Sequence, residues 1–291
     1  MSAMIRPRRS LLYMPGANAR ALAKARELPA DGLILDLEDA VAPEAKEGAR
    51  AAIAVALAEG GYGGRELVLR VNPLESPWGE ADLAAAAELP IDAVLLPKVE
   101  SAESVRQSVA RLDALGAPAE RTVWCMLETP LGILNAREIA QAPRVAALAM
   151  GTSDLSADLH ALEALDRLPL MTSLQLVVLA ARACRLAAFD GVHLDLADDD
   201  GFAAACRQGR ALGFDGKTLI HPKQIAAANA VFAPSADEIA TARRIIAAYR
   251  EALAAGQGVT VVGGRLVENL HVAAAERTLA LAAAITASHA G

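Results

Sequence analysis

Short runs of Val, Ile and Leu recur along the chain at fairly even spacing, and Ala-rich amphipathic stretches fill the intervals. The runs are SLLYMPG (10–16), GLILDLED (32–39), ELVLRVNP (66–73), AVLLPK (93–98), TVWCMLET (122–129), VAALAMGTSD (145–154), GVHLDLAD (191–198) and GKTLIHP (216–222). Between them, segments such as 18–28 and 101–115 carry a helical period. Continuous apolar strands alternating with helices predict a parallel sheet covered on its faces. Eight such units predict an α/β fold of the TIM type, a closed (β/α)8 barrel. An open doubly wound sheet is the alternative, but no glycine-rich phosphate turn follows the first run.

From about Pro234 the pattern changes. A helix is predicted over 236–255, a short hairpin in VTVVGGRLVE (259–268) with Gly263 and Gly264 as its turn, and a last helix near 272–287. The expected organisation is a catalytic barrel over 1–233 and a C-terminal helix–hairpin–helix extension over 234–291. That extension is free to pack on its own barrel or to reach over a neighbouring subunit.

The composition is 54% hydrophobic but only 3% aromatic, so the core must be built mainly from small aliphatic side chains. A net charge of −7 argues against a general nucleic-acid or membrane-surface role. No apolar run reads as long enough to span a bilayer, and the first residues lack a signal-peptide pattern. Cys125, Cys184 and Cys206 are far apart in apolar segments, which suits reduced thiols in a cytoplasmic protein rather than a disulfide frame or zinc site.

The chemistry gathers where strands end, which in a barrel is the catalytic face. The second run ends in Asp36, Glu38 and Asp39; the third carries Arg70 and ends at Asn72. The fourth ends in Lys98, the fifth in Glu128, the sixth in Thr152, Ser153 and Asp154, the seventh in Asp195 and Asp198, and the eighth in His221. Glu128 and Asp154 end consecutive strands, which lie about 5 Å apart in a sheet. Two carboxylates that close repel unless protonated or bridged by a cation. An oxygen-only pair suits a hard ion such as Mg2+; the structural alternatives are a helix cap for Asp154 and an ion pair of Glu128 with Arg70 or Lys98. Arg70 sits inside an apolar strand and needs an anionic partner, either Glu38 or Asp39 or a substrate carboxylate. His193 and Asp195 share a face but read more simply as a packed histidine, and a Schiff base on Lys98 is made unnecessary by the metal-type carboxylate pair. A basic cluster, Arg6, Arg8, Arg9, Arg20, Lys24 and Arg26, is either a solvated face or a set of partners for a phosphorylated ligand.

Seven segments in order resemble the β subunit of citrate lyase and its malyl-CoA and citramalyl-CoA lyase relatives, within the HpcH/HpaI aldolase superfamily. They are RRSLLYMPG, DGLILDLEDAV, LRVNP, LLPKVES, LETPLGILNA, MGTSDLSADL and GFDGKTLIHPKQI, and the resemblance runs from about Arg8 to Phe232. It implies a divalent metal, Mg2+ with Mn2+ as the alternative, coenzyme A thioester chemistry with a 2-oxo acid, and a homo-oligomer, a trimer or a hexamer. It implies Glu128 and Asp154 as metal ligands, Arg70 as the grip on the oxo acid, and Gly151, Thr152 and Ser153 as holders of the substrate carboxylate. Glu38 and Asp39 fall among the acidic residues beside the metal, and Arg9 and Lys24 are candidates for the coenzyme phosphates. In the tail, Glu268 stands where the family's catalytic aspartate is expected. The extra methylene moves a carboxyl by on the order of 1 Å, enough to alter rate or substrate. The reaction implied is carbon–carbon cleavage of a 3-hydroxy-acyl-CoA. Thioester hydrolysis and a citrate lyase β subunit that needs an acyl-carrier partner are the alternatives.

Overall fold

A computed structural model describes residues 6–162 and 166–288 of the chain. They form two compact units, Arg8–Phe232 and a second that groups residues 6–7 with those from Ala233 onward.

In the first unit eight strands close on one another: β1 (Ser10–Pro15), β2 (Gly32–Asp36), β3 (Glu66–Arg70), β4 (Ala93–Leu96), β5 (Thr122–Leu127), β6 (Val145–Met150), β7 (Ala187–Asp190) and β8 (Gly216–Leu219). Every neighbouring pair is parallel, and β1 pairs with β8 to complete the barrel. The helices between them are α1 (Ala19–Lys24), α2 (Lys46–Glu59), α3 (Gly79–Glu88), α4 (Ala102–Ala114), α5 (Pro130–Leu134), α6 (Ala136–Ala140), α7 (Thr152–Asp158), α8 (Met171–Ala183), α9 (Asp199–Leu212) and α10 (Ile225–Phe232). Local chemistry sets several starts. Ser101, Thr129 and Asp198 each accept a hydrogen bond from an amide in the first turn of α4, α5 and α9, and Pro130 opens α5 where its missing N–H costs nothing.

The seventh strand differs from the sequence expectation. Residues 191–198 alternate like a strand, but β7 is the preceding run, Ala187–Asp190, and 191–198 form a loop with Leu194 and Leu196 exposed. Ala188, Phe189 and Asp190 are buried, so the run was hidden by an aspartate that pairs internally. Its partners are Arg167 and the fully buried Lys217 across the β7–β8 register.

The inner face of the barrel is filled by Leu11, Ile34, Val68, Leu95, Trp124, Met126, Ala147, Ala149 and Phe189. Trp124 and Phe189 meet with ring centroids 4.9 Å apart. The outward side chains pack beneath the helices in a larger cluster of Leu, Val, Ile and Ala. Two bidentate ion pairs lie at the starts of the strands: Arg8 on Glu66 at 2.5 and 2.6 Å, and Arg9 on Asp31 at 2.8 and 2.7 Å.

The second unit contains α11 (Ala236–Ala254), a hairpin of β9 (Thr260–Val262) and β10 (Arg265–Val267), and α12 (Asn269–Ser288). Ser235 and Glu238 form a reciprocal capping box on α11. Gly263 and Gly264 both have positive φ, 57° and 77°, as a two-residue hairpin turn demands. Ala242 and Ile246 of α11 pack with Ala275 of α12. By length and composition alone α12 is apolar enough to cross a membrane, contrary to the expectation that no run reaches that length. Glu276 and Arg277 sit in its middle, and charges at the centre of a bilayer are costly.

Candidate active site

On the inward face, residues two apart climb each strand toward its C-terminal end. Above Ile34 stands Asp36, above Val68 stands Arg70, and above Trp124 and Met126 stands Glu128. Asp36 and Arg70 are register partners, and their side chains join in a bidentate pair: Nε and Nη2 of Arg70 donate to Asp36 at 2.7 and 2.6 Å. Nη1 of Arg70 lies 2.7 Å from Glu38 Oε2 and 3.3 Å from Asp39 Oδ2. The Glu38 contact is close but poorly directed, leaving that buried oxygen without a well-formed hydrogen bond. Tyr13 lies under the guanidinium, whose carbon is 4.8 Å from the ring centroid. Glu38 and Asp39, the expected partners, both flank Nη1, and Asp36 joins them as the bidentate partner, set beside Arg70 by the register of β2 on β3.

Glu128 is buried, and its Oε1 accepts the backbone N–H of Lys98 at 2.8 Å. Lys98 adopts the left-handed conformation, φ 49°, which is costly for a side chain with Cβ and aims that amide. Its Nζ lies 3.4 Å from Asp154 Oδ2, with both side chains partly exposed. Gly151, beside the end of β6, is held by its amide on the Leu127 carbonyl. A Cβ at Gly151 would strike Glu128 Oε2 and Cβ. Thr152 is buried, Ser153 exposed, and Asp154 lies in the first turn of α7. Lys46 is buried with its ammonium on the carbonyls of Leu37 and Glu38, both at 2.8 Å, which fixes the backbone carrying Glu38.

The electrostatics are unbalanced. Five carboxyls, Asp36, Glu38, Asp39, Glu128 and Asp154, share this end of the barrel with three cations, Arg70, Lys98 and the buried Lys46. Burial pushes Glu38 up to about 8, Arg70 opposing it and Asp39, Glu128 and Asp36 adding to it. Burial likewise raises Glu128 to about 7, against the Lys98 amide, with Asp154 adding to the rise. Burial opposes the charge on Arg70, but its bond to Asp36 and the surrounding anions raise it well above the usual range. Such a cluster is short of positive charge. Among the described residues no three His, Cys, Asp or Glu side chains form a ready metal cage. A pair of carboxylates, with water and ligand oxygens completing the shell, is nevertheless how Mg2+ is commonly held. The oxygen-only donor chemistry of these carboxyls suits a hard divalent cation.

Other expected residues are placed elsewhere. Arg9 is buried at the start of β1 with both prongs on Asp31, which leaves no exposed guanidinium for a phosphate; that assignment is corrected. Lys24 is exposed in the last turn of α1. Asn72 donates to Leu37 and Asp82 and braces the β2 and β3 ends. His221 caps the short turn after β8, and Asp195 lies in a loop. Glu268 belongs to the second unit, between β10 and α12, where its amide donates to His271 Nδ1 at 3.2 Å.

Residues 9–222 match the HpcH/HpaI aldolase/citrate lyase family. The chain belongs to that family. It is an enzyme of lyase type on this ground. It is 48% identical over 287 residues to a (3S)-malyl-CoA thioesterase of Cereibacter sphaeroides, covering 99% of each chain. It is 37% identical to the citrate lyase subunit beta of Leuconostoc mesenteroides subsp. cremoris, over 95% of this chain and 94% of that one. In three dimensions it is similar to the protein CitE from Mycobacterium tuberculosis, crystallised with magnesium, acetoacetate and coenzyme A. The TM-score is 0.77 at 32% identity, over 94% of this chain and 97% of that one. The closed barrel agrees with the fold expected of this aldolase and citrate lyase family.

Proposed function

We propose that the chain is a Mg2+-dependent carbon–carbon lyase acting on a 3-hydroxy-acyl-CoA such as malyl-CoA or citramalyl-CoA, giving a 2-oxo acid and an acyl-CoA. One observation carries the reading: a buried arginine stands beside an excess of carboxyls, two of which resist ionisation, at the strand ends of a family barrel. The Mycobacterium tuberculosis relative, solved with magnesium, acetoacetate and coenzyme A, supports the same classes of ligand here.

Glu128 and Asp154 would hold the ion, with Mn2+ as the alternative. When bound, a divalent ion polarises substrate oxygens and offsets charge that develops on them. Asp36 fixes the Arg70 fork through two bonds, so the guanidinium is held in place for a substrate carboxylate that would share Nη1 with Glu38 and Asp39. Lys98, through its amide, turns Glu128 so that Oε1 is occupied and Oε2 is left. Glu38, held near neutrality, can accept or release a proton beside Arg70. Asp39, more exposed, lies at the outer side of the same guanidinium. The backbone of Gly151, Thr152 and Ser153 is proposed to meet the substrate carboxylate, and Lys24 a coenzyme phosphate. Glu268, brought by a second copy in a trimer or hexamer, is proposed to protonate the departing acyl-CoA fragment. A cytoplasmic setting belongs to the same proposal and rests on the three scattered cysteines, which suit reduced thiols.

The second reading is thioester hydrolysis of the same substrate, favoured by the whole-chain similarity to the malyl-CoA thioesterase. Incubating the purified chain with malyl-CoA and Mg2+, then resolving products by chromatography, separates the two. Glyoxylate with intact acetyl-CoA is the lyase result. Malate with free coenzyme A overturns it in favour of hydrolysis.

A further inference from the structure

Among the polar groups inside the barrel that the proposed chemistry leaves unused is the phenol of Tyr13. On β1 it stands two residues beyond the inward Leu11, so its ring lies on the same face. The ring packs against the inner cluster and stays partly exposed. One side of it carries the Arg70 guanidinium at 4.8 Å. Its hydroxyl points to Met126 Sδ at 4.0 Å, a weak acceptor for an O–H. Met126 precedes Glu128 by two residues on the inward face of β5, so Tyr13 bridges the floor from Arg70 to the strand that carries Glu128. Burial raises this phenol above its usual range, with Arg70 opposing and Asp36, Glu128 and Glu38 adding to the rise, which keeps the proton on the oxygen.

An O–H with only a thioether to donate to, set among groups that collect oxygens, lacks its natural acceptor. We propose that Tyr13 contacts the substrate: its hydroxyl donates a hydrogen bond to an oxygen of the 2-oxo-acid end, between Arg70 and Glu128. This rests on the function proposed above and adds a residue to it. The phenol suits the place because it adds a donor without adding charge to a site already crowded with carboxyls. Its ring also limits the tilt of Arg70, the group that grips the same acid.

Tyr13→Phe keeps the ring and the stacking and removes only the hydroxyl. The test is calorimetric titration of the full chain, in Mg2+, with glyoxylate or pyruvate and separately with acetyl-CoA, which lacks the acid group. A hydrogen bond to a charged ligand is worth roughly 1.5–3 kcal/mol, so the Kd for the oxo acid should rise about 10- to 150-fold. The acetyl-CoA affinity and the melting temperature should stay as in the unmodified chain, since the hydroxyl loses only a sulfur contact. Tyr13→Leu, which also removes the ring beneath Arg70, should weaken the oxo acid further. Equal oxo-acid affinity in the phenylalanine variant, or an equal loss for acetyl-CoA, overturns the Tyr13 assignment alone. An unmodified chain that binds no oxo acid in Mg2+ overturns the proposed function, and Tyr13's role with it.

Discussion

Glu128 sits at 3% exposure with its carboxyl pushed up to about 7, against an ordinary value of 4.5. A carboxyl raised in the folded state binds more protons there than in the unfolded chain, so stability falls as pH rises through that window. Its contribution is intact below pH ~4.5 and declines as pH climbs through about 7. With each pKa unit worth about 1.4 kcal/mol, the penalty at pH 8 is about 3 kcal/mol, and at pH 5 under about 1 kcal/mol. Glu128→Gln removes the ionisation and keeps an oxygen for the Lys98 amide. In the absence of divalent cations the variant should therefore melt higher at pH 8, by about 6 °C at roughly 2 °C per kcal/mol. The advantage should shrink toward pH 5. Glu38, raised to about 8 in part by Glu128, ionises more easily in the variant, which adds to the variant's advantage at pH 8. Adding Mg2+ should raise the melting temperature of the unmodified chain at pH 8 and leave the variant unmoved, because the cation binds the ionised carboxylate. Thermal denaturation followed by circular dichroism between pH 5 and 9, with EDTA or Mg2+, reads all of this. A variant no more stable than the parent at pH 8 in EDTA would refute the reasoning, as would an advantage independent of pH.

Two further outcomes follow from contacts in the barrel. Gly151→Ala places a methyl against Glu128 Oε2 and Cβ. It should cost about 1–3 kcal/mol by overpacking and abolish the Mg2+-dependent rise in melting temperature, both measurable in urea and thermal unfolding. In the buried cluster of Arg167, Asp190 and Lys217, Asp190→Ala leaves two cations without their anion and should cost about 3–5 kcal/mol in urea unfolding. Lys217→Met leaves Asp190 bound by Arg167 at 2.8 Å on both oxygens and should cost clearly less. Equal losses would contradict the view that Asp190 is the centre of that cluster.

The apolar runs and their Ala-rich intervals determined the barrel, because a strand buried on both faces must be continuously apolar and each return needs a helix. Local rules also reached the hairpin, whose two glycines supply the positive φ, and the polar strand ends, since Glu128, Asp154, Arg70 and Glu38 each follow an apolar run. Where an aspartate lay inside such a run, as in β7, the pattern pointed one segment too late; Asp190 is tolerated only because Arg167 and Lys217 come to it from distant positions. Pairings across strands were closed to the sequence. Asp36 joins Glu38 and Asp39 at Arg70 because the β2–β3 register sets it beside the arginine. Arg9 turns to Asp31 at the start of its strand, and the Lys98 amide reaches Glu128 through a left-handed backbone. Such choices depend on distances between residues far apart in the chain, and those exist only once the barrel has closed.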